Sequence, residues 1–335
     1  MQAAIYGFAG ERLSADERAF FRDADPAGYI LFRRNCVDRQ QLRALTDDLR
    51  AIHGREDLPI LIDQEGGRVA RMRPPVWPEF PCGGRFAELY AKAPMSAIEA
   101  ARANAQAIAI TLREVGINVD CLPLLDVRQP GAHDIIGDRA LGEEPMQVAA
   151  LGRAVLDGLR AGGVVGVVKH MPGHGRSLSD SHQELPIVSA SEEELETDIE
   201  PFRTLSRAPM GMTSHVVYTA WDEARPASLS PRIISDIIRG RIGFDGFLMS
   251  DDLGMQALSG GFDARASGVV EAGCDAALHC SGVMEEMVAV ASAVPELAEE
   301  GRRRLERAMA TVGEAGEGVE YAVLADKRDR LLALA

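Results

Sequence analysis

The sequence predicts a single α/β domain of the (β/α)8, TIM-type barrel class spanning residues 1–335. Short apolar runs alternate with longer amphipathic stretches along the whole chain. The runs show little polar alternation, as strands covered on both faces do. Ionisable residues collect just past the C-terminal ends of these runs, where barrel enzymes carry their chemistry. The runs fall at 28–32, 59–62, 119–127, 163–168, 210–217, 246–249 and 274–278, with 3–8 as a further one. About eight strand-then-helix units over this length fit a closed barrel better than an open doubly wound sheet.

Helix signals lie between the runs. Ser14 precedes a charged helix to about residue 22, and Asp38 precedes one to about residue 53. Pro145 starts a helix that stops near Gly162–Gly163, the usual proline-start, glycine-stop asymmetry. Ser191 to Glu194 reads as a capped acidic start, and Ser230–Pro231 opens a helix ending near Gly240. The last ~15 residues read as a helix packed on the barrel. With no Pro/Ser-rich linker or abrupt composition shift, one domain is expected.

Hydrophobic residues make up 46% and charged residues 26%, the balance of a soluble globular protein. Lys and Arg number 36 against 51 Asp and Glu, a net charge of -15. Such a chain gains nothing from counterion release on DNA or RNA, so nucleic acid is not expected as a partner. Acidity also argues against an anionic membrane surface. No stretch approaches the ~18 apolar residues of a membrane span. The five cysteines, Cys36, Cys82, Cys121, Cys274 and Cys280, fit neither a disulfide framework nor a zinc pattern. Together with an N-terminus that lacks a basic and apolar leader, they point to a reducing, cytoplasmic setting. A monomer without cofactor or metal is expected.

Asp63, Asp126, Lys169 with His170, His215, Asp251 with Asp252, and His279 follow or end six of the eight runs. Five of the seven histidines (His170, His174, His182, His215 and His279) fall on this mouth or its loops. For His215 and His279 a purely structural, hydrogen-bonded role stands beside a functional one. Two segments stand out. Asp63-Gln64-Glu65-Gly66-Gly67-Arg68-Val69-Ala70-Arg71 sets carboxylates and guanidinium groups, natural partners of sugar hydroxyls, around paired glycines. Lys169-His170-Met171-Pro172-Gly173-His174-Gly175 runs on to Asp180-Ser181-His182. Its glycines suit a hinge that closes over a bound sugar.

With Ser250-Asp251-Asp252-Leu253-Gly254-Met255, these segments resemble glycoside hydrolase family 3, in particular its single-domain bacterial β-N-acetylglucosaminidases of peptidoglycan recycling. The resemblance covers nearly the whole chain. It implies Asp251 as nucleophile, His182 as general acid/base and Asp180 as the partner of that histidine. It implies Asp63, Arg71, Arg139, Lys169 and His170 as sugar-binding residues. The small-molecule substrate it implies is a muropeptide of the GlcNAc-1,6-anhydroMurNAc type. Departures from the family pattern are Met171, Arg176 and Gly254, which bear on loop packing and leaving-group preference.

The chemistry is coherent. A histidine titrates near pH ~6.5 and can both give and take a proton, while a carboxylate attacks the anomeric carbon. Three alternatives use the same residues. A metal-dependent barrel hydrolase would use His170-x3-His174, although Pro172 and Gly173 spoil a helical spacing. A non-catalytic sugar-binding barrel has no need of Asp251, Asp180 and His182 together. A phosphorylase would use phosphate in place of water.

Overall fold

A computed structural model describes residues 1–181, 183–312 and 319–335 of the chain. The apolar runs become eight parallel strands: β1 (Gln2–Tyr6), β2 (Pro26–Leu31), β3 (Ile60–Ile62), β4 (Val119–Asp120), β5 (Val165–Met171), β6 (Met210–Thr213), β7 (Phe247–Asp252) and β8 (Ala276–His279). Each strand pairs with its neighbours in sequence, and β8 closes on β1 with Ala4 opposite Ala277 and Tyr6 opposite His279. The chain is therefore a closed (β/α)8 barrel.

The absence of polar alternation has a direct cause. Along β1, Ala3 and Ile5 join the cluster that fills the barrel with Ile30, Leu61, Val167 and Met249. Ala4 and Tyr6, on the opposite pleat face, join the larger cluster under the helices. Both faces are buried, so both must be apolar. The helices bring one apolar stripe each: Arg39–His53 buries Leu42, Leu45, Thr46 and Leu49. Each fully buried leucine there contributes roughly 1.5–3 kcal/mol.

The caps read from sequence are formed. The Ser14 and Ser191 side chains accept the N–H groups of Glu17 and Glu194 in capping boxes, and Asp38 accepts from Gln41. The proline-start helix is Pro145–Ala161. The segment expected to run from Ser230 is a π-helix over Ile233–Arg241. The C-terminal helix, Tyr321–Leu332, lies against Pro94–Glu114, tied by Arg328 to Asn104 at 3.2 Å.

Two differences from the sequence reading are informative. The run 119–127 yields a strand of only two residues, because the Leu122 N–H turns back to the Asp120 carbonyl at 2.7 Å and the next residue, Pro123, has no N–H to give a ladder. Its carbonyl instead accepts the N–H of Lys169 at 3.2 Å, and Leu125 donates to the Lys169 carbonyl at 2.7 Å. The helices Gly83–Lys92 and Pro94–Glu114 lack the side-chain N-cap that marks the helices after Ser14, Asp38 and Ser191. No helix among the described residues is long and apolar enough to cross a membrane.

Candidate active site

The ends of β3 and β5 deliver a compact charge cluster. The Lys169 ammonium, with a side chain 2% exposed, donates to Asp63 at 2.9 Å and to Glu65 at 2.6 Å. Arg71 donates to the other Asp63 oxygen at 2.9 Å. Arg139 forks onto Glu65 at 2.7 and 2.8 Å, the bidentate geometry that guanidinium favours. Burial works against every charge here, but the partners outweigh it. Lys169, between Asp63 and Glu65, is held above its ordinary pKa. Arg139 and Lys169 hold Glu65 down at about 2, and Lys169 and Arg71 hold Asp63 well below the carboxylate range. The cluster is a fixed array of ions, not a proton donor.

Beside it, Asp126 organises the start of the long loop after β5. One oxygen accepts the His170 Nδ1–H at 2.8 Å; the other accepts the backbone N–H groups of His170 and His174 at 3.2 and 2.6 Å. Burial raises Asp126, yet His170 and these bonds bring it to about 2. The bond at Nδ1 leaves Nε2 as the remaining polar atom of the His170 ring. The His174 ring meets His170 edge-on at 5.8 Å, and burial lowers its pKa to about 4, so it is neutral at physiological pH.

These groups line a cavity of ≈ 270 Å³ at the C-terminal mouth of the barrel, with Asp63, Arg71, Arg139, Lys169, His170 and Asp251 all on its wall. Ligand pockets run from roughly 300 Å³ upward, so this volume suits one ring sugar. Asp251 is the penultimate residue of β7 and is 7% exposed. It accepts the Asp252 N–H at 2.8 Å and pairs with no cationic side chain among the described residues. Its carboxylate thus faces the cavity without the counter-ion that occupies Asp63 and Glu65.

His182 lies outside the described residues. Its neighbour Ser181 lines the same cavity, and the Ser181 carbonyl accepts the Ala257 N–H at 3.2 Å, from the loop that follows Asp251. The Asp180 carbonyl accepts from Gln183 and Glu184 at 2.9 and 3.1 Å. The loop between β5 and helix Glu192–Thr204 therefore reaches the rim near Asp251.

His215 and His279 take the structural alternative. A carbonyl only accepts, so His215 Nε2 carries the proton toward Asp252 O at 3.0 Å, and Nδ1 accepts from Ser228 at 2.6 Å. His215 sits behind the Asp251–Asp252 turn, not on the cavity wall. His279 turns to Glu286 at 3.0 Å.

Gly173 and Gly175 have packing reasons. Gly173 has φ 140, and a Cβ there would lie 2.9 Å from the Asp198 Cβ; at Gly175 it would strike the Val127 carbonyl. Both serve close approach rather than a free hinge. Arg176 anchors the same loop by donating to Asp198 at 2.5 Å and to the Glu194 carbonyl at 2.8 Å. Among the described residues no three His, Cys, Asp or Glu side chains gather as metal ligands.

Two residues of the site were legible without being assigned. Glu65 stands in the Asp63–Arg71 segment, and Asp126 follows an apolar run. Sequence alone does not show that Glu65 bridges Lys169 to Arg139 or that Asp126 holds His170.

A barrel mouth with a carboxylate free of cations beside an ion array able to bind hydroxyls defines a class, the barrel hydrolases of polyhydroxylated substrates. Residues 3–315 match the N-terminal domain of glycosyl hydrolase family 3. A β-hexosaminidase of Alkalilimnicola ehrlichii is 40% identical over 282 residues, covering 83% of this chain and 80% of the relative. One from Methylococcus capsulatus is 39% identical over 282 residues, covering 83% and 82%. NagZ of Neisseria gonorrhoeae, solved in complex with N-trifluoroacetyl-D-glucosamine, superposes with a TM-score of 0.87 at 31% identity over 100% of this chain and 98% of that one. The chain belongs to glycosyl hydrolase family 3 and is a glycoside hydrolase of the β-N-acetylhexosaminidase kind.

Proposed function

We propose that the chain is a retaining exo-β-N-acetylglucosaminidase that removes terminal non-reducing N-acetylglucosamine from peptidoglycan-derived muropeptides of the GlcNAc-1,6-anhydroMurNAc type. Asp63, Arg71, Arg139, Lys169 and His170 hold the sugar by hydrogen bonds to its hydroxyls. Asp251 attacks the anomeric carbon and forms a glycosyl-aspartate while the leaving oxygen takes a proton from His182. His182 then takes a proton from the water that releases the sugar, with Asp180 orienting its ring. The recycled substrate fits a monomer working in the cytoplasm.

The observation that carries this reading is the position of Asp251. It stands near the end of a barrel strand, lines the same single-sugar cavity as the ion array and pairs with no cationic side chain among the described residues. Both carboxylates of the ion array are paired with cations, and Asp252 on the same wall accepts the Gly254 and Cys280 N–H groups, which leaves Asp251 as the carboxylate available for bond formation.

The test is hydrolysis of a chromogenic β-N-acetylglucosaminide beside the matching β-glucoside. Preference for the N-acetylated substrate is expected, with His182→Ala losing roughly 10²–10⁴-fold in turnover, the usual worth of a general acid/base. In phosphate buffer the product is free N-acetylglucosamine. Equal rates on the two substrates, or accumulation of the sugar 1-phosphate, would overturn the reading.

A further inference from the structure

At the opposite, N-terminal end of the barrel a second recess of ≈ 320 Å³ opens between the strand starts and two helices. Its floor is apolar, formed by Leu156, Val164, Ala208 and Pro209. Its rim carries four arginines: Arg153 and Arg160 on helix Pro145–Ala161, Arg207 on the loop into β6, and Arg307 in the last turn of helix Glu299–Met309. Positions 153, 156, 157 and 160 recur at helical spacing, so one face of the first helix presents both cations and part of the floor.

The charges on this rim do not balance. Arg307 donates to Asp245 at 2.9 Å, and Asp245 is shared with Arg304 at 3.4 Å. Arg160 reaches Asp157 only at 4.0 Å. Arg153 and Arg207 have neither an ion-pair nor a hydrogen-bond partner among the described residues. Four cations thus face two carboxylates around one recess, on a chain whose net charge is -15. Like charges crowded at a concave, partly apolar surface raise the local positive potential, and an anion of matching size relieves it. Guanidinium forks match the oxygens of phosphate in pairs. The apolar floor adds contact for a body attached to that phosphate.

We infer that this recess binds a small phosphate-bearing molecule, a phosphomonoester with a compact ring or chain as its body. The site lies at the far end of the barrel from Asp251 and uses none of the residues assigned to hydrolysis.

The test is calorimetric titration of the full chain with glucose 6-phosphate, inorganic phosphate and citrate. One glucose 6-phosphate per chain is expected, bound ~10-fold or more tightly than inorganic phosphate and weakened by added salt. R153A/R207A should weaken this binding at least ~10-fold, since each arginine loses a charge-assisted contact. Both side chains are exposed, so the double variant should keep its melting temperature and its hydrolysis of the chromogenic substrate. The inference is overturned by no saturable binding of either phosphate at roughly 10 mM, a concentration that would detect millimolar affinity. Preference for citrate, equal binding by R153A/R207A, or displacement by N-acetylglucosamine at the catalytic mouth would overturn it equally.

Discussion

Lys169 is buried at the end of β5 with Asp63 and Glu65 around it, and Glu65 in turn carries Arg139. Removing Glu65 strands the buried Arg139 and leaves Lys169 with Asp63 alone. Glu65→Ala should therefore cost on the order of 3–5 kcal/mol in urea unfolding, the range for breaking a buried ion pair. Acid should act through the same groups. Glu65 and Asp126 lie at about 2 when folded, against roughly 4 when unfolded. Their stabilisation is complete above the unfolded value and is lost as pH falls toward about 2. His174 works in a higher window. It is depressed to about 4, so the unfolded chain takes up its proton first, and stability drops as pH falls from roughly 6.5 toward 4. In an acid titration followed by circular dichroism, Asp126→Asn should flatten the lower part of the curve and carry the His174 part to lower pH, because the Asp126 charge holds the His174 pKa up. At this scale the sequence showed the residue types and their positions past strand ends. It did not show which carboxylates are neutralised by cations and which one stands apart, because that depends on side chains brought together from β3, β5 and the segment around Arg139.

The elements explain how the loop after β5 is held. Arg176 and Gly173 both meet Asp198 on helix Glu192–Thr204, and Gly175 lies against the Val127 backbone. Burial raises Asp198 to about 7 even with Arg176 beside it. Gly175→Ala should lower the melting temperature, and activity with it, because the Val127 carbonyl belongs to backbone that cannot swing aside; small-to-large changes at packed sites cost roughly 1–3 kcal/mol. An unchanged melting temperature in a thermal scan would restore the hinge reading of this glycine. Strand and capped-helix positions were legible from apolar runs and from Ser14, Asp38 and Ser191. The short β4 was less so, since an apolar run does not reveal that the Leu122 N–H turns back to the Asp120 carbonyl at 2.7 Å and interrupts the ladder. Helix Pro94–Glu114 has Ala93 at its N-cap and carried only a proline start, the signal it shares with Pro145–Ala161.

At the scale of the whole molecule, the barrel separates two ends. Its C-terminal mouth gathers the ion array and Asp251. Its N-terminal end is covered by the segment around helix Glu299–Met309, whose Leu305, Ala308 and Met309 join the interior cluster, and Leu297 N–H bonds the Met1 carbonyl at 2.8 Å. The repeated strand–helix pattern read as a closed barrel through its count of about eight units, since an open doubly wound sheet also buries its strands on both faces. The covering of the lower end was not readable, since the contact joins the two termini of the barrel across almost the full sequence. At the upper end, the proposed reaction bonds Asp251 covalently to the sugar. The direct test is mass spectrometry of peptides from enzyme quenched with a fluorinated N-acetylglucosaminyl fluoride, which slows release of the glycosyl-enzyme. One glycosyl adduct per chain is expected, on the peptide containing Asp251, absent in Asp251→Ala, whose turnover is also lost. An adduct on another carboxylate, or full turnover in Asp251→Ala, would contradict the proposed bond.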